Sequence, residues 1–82
     1  MANKAYIKEL SSEEVVIMDN GAIVAGMTSS KSLDKSDLNG KVENKGNVRI
    51  WAGEISNADL TTAPFTVTST GELKSTKANI TG

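Results

Sequence analysis

The 82-residue sequence contains neither cysteine nor histidine. Small domains that bury little apolar surface are commonly stabilised by disulfides or by a bound metal ion, and the usual side chains for both are missing here. Leu, Ile, Val and Phe supply only 18 residues, which is close to the roughly 20% below which apolar burial no longer offsets conformational entropy. The sequence therefore predicts that the chain is stabilised by association with other chains.

The same absence restricts the chemistry that the chain can perform. Ser/His and Cys/His nucleophile systems are excluded, as are the commonest zinc sites. Two carboxylate pairs, Glu13 with Glu14 and Asp34 with Asp37, lie in polar sequence that leaves them solvated. Asp34, Asp37 and Asn39 lack the spacing of a calcium loop. We predict no enzymatic activity, no metal and no cofactor.

The net charge of the chain is −1, and Lys and Arg form no basic run. Such a surface has no general attraction for nucleic acid, so we predict that none is bound. No apolar stretch approaches the about 20 residues of a membrane span, and the first residues lack the apolar segment of a signal peptide. We therefore expect no membrane insertion and synthesis as a soluble cytoplasmic product.

A run of β-branched residues gives the clearest strand signal. Residues 15–18 are apolar, and Asn20 and Gly21 follow, both of which tolerate the positive φ of a type I′ turn. Residues 22–27 then supply the second strand of a hairpin. In a monomer these strands pair with each other, whereas in an intertwined oligomer the second strand pairs with a neighbouring subunit.

Polar stretches divide the rest of the chain. Residues 1–14 are predicted to be an N-terminal entry segment, either helical or a frayed tail, and residues 15–82 a β-rich module. Within it, residues 28–40 and 53–64 read as polar loops, with a short strand around Val42 between them. Short strands between turns, spaced at about eight to twelve residues, predict an all-β fold.

Two later stretches alternate between apolar and polar residues. The first is a strand predicted over Val48–Ala52, in which alternation places Trp51 opposite the face that carries Val48, Ile50 and Ala52. In the second, Phe65 and Val67 face inward and the intervening threonines outward. An outward Trp51 could stack on a sugar ring and contact a receptor, or it could pack against another chain or under the second polar loop.

From Ile50 onward, 33 of the 82 positions resemble a segment that recurs in tail-fibre proteins of bacteriophages and prophages. There the order is Trp-Ala-Gly, Ala-Pro-Phe-x-Val, Gly-x-Leu and Ala-Thr-x-Ala-x-Ile-x-Gly. The matching elements here are Ile50-Trp51-Ala52-Gly53, Ala63-Pro64-Phe65-Thr66-Val67, Thr70-Gly71-Glu72-Leu73 and Thr76-Lys77-Ala78-Asn79-Ile80-Thr81-Gly82. Ser75 stands where the family often has the first alanine of its last element.

The resemblance implies an intertwined homotrimeric fibre in which three chains wrap around one axis. It further implies a virion tail protein, made in the host cytoplasm and acting outside the cell, that contacts other tail or baseplate proteins and serves as a shaft or attachment segment in host adhesion. The apolar positions expected at the subunit interface are Val48, Ile50, Trp51, Phe65, Val67, Leu73, Ala78 and Ile80.

Two alternatives remain open at the level of sequence. The chain could be an adhesin module whose exposed loops, residues 28–40 and 53–64, contact a host surface glycan or protein. It could also be a monomeric β-sandwich with an unrelated role.

Overall fold

The computed structural model describes residues 6–29, 32–35, 40–79 and 81. These residues form β-strands and one short 3₁₀ helix, Leu60–Thr62, and the described part of the chain contains no α-helix. The predicted all-β character is thereby confirmed. The strands are β1 Glu14–Asp19, β2 Ala22–Thr28, β3 Ser32–Lys35, β4 Gly40–Glu43, β5 Val48–Ala52, β6 Phe65–Thr68 and β7 Leu73–Ser75.

Five strands form an antiparallel sheet in the order β1-β2-β5-β6-β7, and β3 pairs with β4 in a separate two-stranded sheet. Along the chain, the β3–β4 hairpin therefore comes between β2 and β5, which are neighbours in the larger sheet. The predicted turn between β1 and β2 is confirmed, with φ of 52° at Asn20 and 82° at Gly21. Because β1 and β2 pair within the chain, this hairpin is intramolecular.

The apolar core lies between one face of the five-stranded sheet and a cover made by the β3–β4 hairpin and residues 53–64. Backbone and side chains join the parts of this cover: Glu43 N–H donates to the Ala58 carbonyl over 2.8 Å. The Asn44 side chain exchanges two hydrogen bonds with the backbone of Val48, at 2.7 and 2.8 Å. The buried apolar residues are Ile23, Leu33, Val42, Val48, Trp51, Leu60 and Ala63.

The two polar segments are more structured than the sequence predicted. Within residues 28–40, β3 is a strand and Leu33 is buried, so the prediction of an exposed loop is wrong for this part. In residues 53–64 the 3₁₀ helix places Leu60 fully inside the core. Leu33 thus anchors the first segment in the core, and Leu60 and Ala63 anchor the second.

The N-terminal helix is wrong for the residues that can be described. Residues 6–13 carry no helix, and Tyr6, Ile7 and Leu10 are all exposed. The first five residues of the predicted entry segment lie outside the described residues. Packing would be needed to stabilise so short a helix, and side chains this exposed receive little of it.

The predicted alternation in β5 is confirmed for Ile50, Trp51 and Ala52 but is wrong for Val48, and an irregularity in the strand explains why. The register between β5 and β6 shifts between Val48 and Ile50, so that Arg49 is an extra residue in the strand. A bulge of this kind brings residues three apart onto one face. Val48 and Trp51 therefore both face the core, each 1% exposed, while Ile50 faces the opposite side.

The inward and outward assignments in β6 are reversed as well. Thr66 lies directly across from Trp51 and is buried, whereas Phe65 and Val67 point to the opposite face and are half-buried. The apolar character of Phe65 and Val67 predicted that they lie in the core. They lie instead on the other face of the sheet.

Candidate functional site

The inner face of the sheet is organised around Trp51. Directly paired residues of an antiparallel sheet project to the same side, and a row across the five strands runs Val16, Gly26, Trp51, Thr66, Lys74. Trp51 is enclosed, and its indole Nε1 has no hydrogen-bond partner. The side chain that could have been a receptor contact is therefore part of the chain's own core.

The opposite side of the same sheet, which we call the open face, is covered by nothing in the described structure. Two rows of paired residues cross all five strands on this side. The first row is Val15, Met27, Ile50, Val67, Leu73, and the second row is Ile17, Ala25, Ala52, Phe65, Ser75. Nine of these ten side chains are apolar and none is charged.

The open face is exposed to solvent as well as apolar. Ile50, in its centre, is 42% exposed, and Leu73, at its edge, is 61% exposed, while Ile17 and Met27 are each about half exposed. An antiparallel sheet with one solvated face normally carries polar residues on that face. The composition of the open face is instead that of a buried surface.

The relief of the open face is uneven. Met27 and Ile50 form the raised middle of the first row, while Ala25 and Ala52 leave the middle of the second row low. Two depressions extend the face at its ends. One, of about 270 Å³, includes Val15, Met27 and Ile50, and the other, of about 470 Å³, includes Ala52, Phe65 and Ser75.

The residues predicted at a subunit interface are distributed over both sides of the sheet. Ile50, Phe65, Val67 and Leu73 lie together on the open face. Val48 and Trp51 lie in the core, Ala78 is exposed beyond β7, and Ile80 lies outside the described residues. Whether any of them contacts a second subunit stays a prediction.

Sequence reasoning missed four residues of the open face on β1 and β2: Val15, Ile17, Ala25 and Met27. The signal that could have found them is the uninterrupted apolar run at residues 15–18. Strands covered on one side alternate, whereas strands buried on both sides are apolar throughout.

Three of the four sequence elements from Ile50 onward lie next to one another in the fold. Trp51 pairs with Thr66 and Ala52 with Phe65, which joins the first two elements across β5 and β6. A Cβ at Gly53 would overlap the ring of Pro64, so the glycine of one element is required by the proline of the other. The pairing of β6 with β7 adds the third element.

The loop formed by residues 53–64 is held by side-chain hydrogen bonds. Asp59 Oδ1 accepts from the Thr61 backbone N–H at 3.0 Å and from its hydroxyl at 2.8 Å, which caps the 3₁₀ helix. Ser56 N–H donates to Thr62 Oγ1 over 2.7 Å. Burial raises the pKa of the Asp59 carboxyl, but the bonds from Thr61 and the charges of Lys45 and Lys74 outweigh it and lower the pKa below its ordinary value.

Few other features of the described residues suggest chemistry. A groove of about 260 Å³ between the loop and β4 is lined mainly by apolar side chains, with the Glu54 carboxylate beside them. Among the residues that the structure describes, no three acidic, cysteine or histidine side chains are grouped so as to hold a metal ion. No helix in that part of the chain is long and apolar enough to cross a lipid bilayer.

Comparison with known proteins found no matching family model, no similar curated protein and no similar solved structure.

Proposed function

We propose that the chain is a structural, non-enzymatic module of a phage tail fibre or related injection apparatus, and that it forms a homotrimeric shaft or attachment segment for host adhesion. The observation that carries this proposal is the open face, an apolar and uncharged sheet surface left exposed by the single chain. Exposed apolar patches of this kind mark sites of association.

The apolar core supports the same proposal. Seven of the described residues form it, all on one side of the five-stranded sheet. An 82-residue domain buries little more than about 60% of the surface of its unfolded chain, so its stability is marginal. Partner chains that cover the second side would supply the missing burial.

The assignment to a phage tail is supported by the resemblance from Ile50 onward, whose first three elements lie on the adjacent strands β5, β6 and β7. In that setting the trimer acts outside the host cell, as part of the virion tail. It joins other tail or baseplate proteins to the tip that contacts the host.

Light scattering coupled to size exclusion tests the assembly. We expect a mass about three times the 8.6 kDa of one chain, and a mass near 8.6 kDa at all concentrations would contradict the trimer. Antibodies raised against the chain test the location, because they should label the tails of phage particles released by cells that encode it. Unlabelled tails on such particles would contradict the virion assignment.

A second candidate function, binding of a host surface glycan or protein, is favoured by the order of the loop at residues 53–64. Its hydrogen bonds hold Glu54 and Asn57 exposed on a fixed backbone, and preformed surface loops commonly carry recognition. Glu54→Ala and Asn57→Gly should then abolish binding on a glycan array while leaving the melting temperature unchanged. Glycine suits position 57, where φ is 54°. Binding that survives both substitutions would exclude this loop as the recognition site.

A further inference from the structure

We infer that the open face is the surface through which copies of this chain pack on one another, with Ile50 at the centre of the contact. This inference rests on the proposed function, since it names the surface that builds the proposed oligomer. It differs from the interface predicted from sequence by excluding Val48 and Trp51 and by adding Val15, Ile17 and Met27.

The strand sequences indicate that both sides of the sheet are covered in the working protein. In β1, residues 15–18 are apolar without interruption, and in β5 apolar Ile50 and Ala52 alternate with core-facing Trp51. Such two-sided strands are found where a sheet is covered on both faces. Within the chain, the described residues cover only the side that faces β3 and β4.

The relief of the open face suits a second copy of itself. The ridge made by Met27 and Ile50 runs beside the low strip made by Ala25 and Ala52. Around a three-fold axis the ridge of each copy can lie over the low strip of the next copy, as side chains interdigitate where sheets pack about 10 Å apart. The ten paired residues of the open face carry no charge, and the charged residues Glu13, Glu14 and Arg49 lie only in the depression at its end.

The exposed area agrees with contact to other copies. The chain exposes 6404 Å², whereas a compact folded monomer of its mass exposes about 4,700 Å². The excess is about 1,700 Å², and the open face shares it with the extended residues 6–13 and with the rest of the chain. A standard interface takes about 800 Å² from each partner.

A single charge at the centre of the open face tests the inference. In the full chain, Ile50→Glu should convert the trimer into a species of one-chain mass, because a carboxylate buried between copies has no partner. The control is Leu10→Glu, at an apolar position outside the open face that is 62% exposed, against 42% for Ile50, and it should keep the trimer mass. Far-UV circular dichroism should show that both variants retain the β-rich fold.

Labelling provides a second measurement if Ile50→Glu fails to fold. The chain contains no cysteine, so Ile50→Cys and Leu10→Cys each introduce one thiol. In the assembled protein, a maleimide should react with the thiol at position 50 several-fold more slowly than with the thiol at position 10, and dilution to monomers should remove the difference.

The outcomes separate this inference from the proposed function. A trimer that persists in Ile50→Glu, or a fully reactive thiol at position 50 in the trimer, would overturn the open face as the interface while leaving the trimer in place. A wild-type chain that stays monomeric would overturn both. Loss of the trimer in Ile50→Glu but not in Leu10→Glu, or slow labelling at position 50 but not at position 10, would support the assignment.

Discussion

The indole ring of Trp51 lies against the backbone of Gly26 on the neighbouring strand. A Cβ at position 26 would lie 2.5 Å from Cζ2 and Cη2 of the ring and 2.6 Å from the Val15 carbonyl oxygen. The enclosed ring has no space to move into, and the carbonyl belongs to the paired backbone of β1. Gly26 is therefore the position that lets the largest core side chain lie flat on the sheet.

We expect Gly26→Ala to lower the free energy of unfolding by about 1–3 kcal/mol, the usual cost of overpacking a filled core. Urea unfolding, followed by the emission of the single tryptophan, measures the change. Gly40→Ala is the control, because a Cβ there meets no atom within 4 Å. Equal unfolding midpoints for the two variants would contradict the close packing of Trp51 on Gly26.

The Trp51 side chain itself allows a test of core against receptor contact. Trp51→Ala should lower the free energy of unfolding by about 3–5 kcal/mol, since it removes the largest buried side chain. Trp51→Phe should cost less, because it keeps most of the ring and removes a buried N–H that lacks a partner. Thermal melting of both variants measures the difference. Equal losses for the two, or glycan binding lost at unchanged stability, would argue against the core role.

The hairpin and the central strand were predictable from local residues. Asn20 and Gly21 fix the first turn through their positive φ, and a turn after residue 44 sets the start of β5. The resulting bounds, Val48–Ala52, agree with the prediction. Turn chemistry is local, so a single sequence is enough to recognise it.

The face of the sheet to which each side chain points was not predictable, because it depends on contacts between residues distant in the sequence. The bulge at Arg49 moves Val48 and Trp51 onto one face, and strict alternation cannot foresee an inserted residue. Alternation also fails to distinguish a core face from an open face when both are apolar, which is why Phe65 and Val67 were assigned to the core. Strand β3 was missed because only Leu33 marks it as buried.

The side chain of Asn44 takes the place of a strand neighbour at the start of β5. Its Oδ1 accepts from the Val48 N–H at 2.7 Å, and its Nδ2 donates to the Val48 carbonyl at 2.8 Å. In Asn44→Ala the carbonyl keeps a bond from Arg49 Nη1 at 3.2 Å, but the N–H loses its partner. We expect a loss of about 1–3 kcal/mol in the free energy of unfolding.

Chemical denaturation of Asn44→Ala beside Asn79→Ala measures this effect, because Asn79 is exposed beyond β7. The control should unfold at the wild-type midpoint. Faster amide hydrogen exchange at Val48 in Asn44→Ala would place the loss at the predicted bond. An exchange rate at Val48 equal to that of the wild type would contradict it.

The cap of the 3₁₀ helix should make stability depend on pH. Hydrogen bonds from Thr61 and the charges of Lys45 and Lys74 outweigh burial and lower the pKa of Asp59 in the folded chain. A lowered folded pKa means that the ionised carboxylate stabilises the fold above the ordinary pKa of about 4, and that this contribution is lost as pH falls through the lowered value.

Melting temperatures between about pH 2 and pH 7 test this prediction, because that range includes the ordinary pKa of an aspartate. The wild type should lose stability below about pH 4 more steeply than Asp59→Asn, which keeps an acceptor for the cap but cannot ionise. At neutral pH, Asp59→Ala should cost about 1 kcal/mol, the usual value of a lost helix cap. Asp19→Asn, at an exposed position at the end of β1, controls for the removal of one negative charge. Parallel pH profiles for the wild type and Asp59→Asn would show that the cap does not depend on the charge of Asp59.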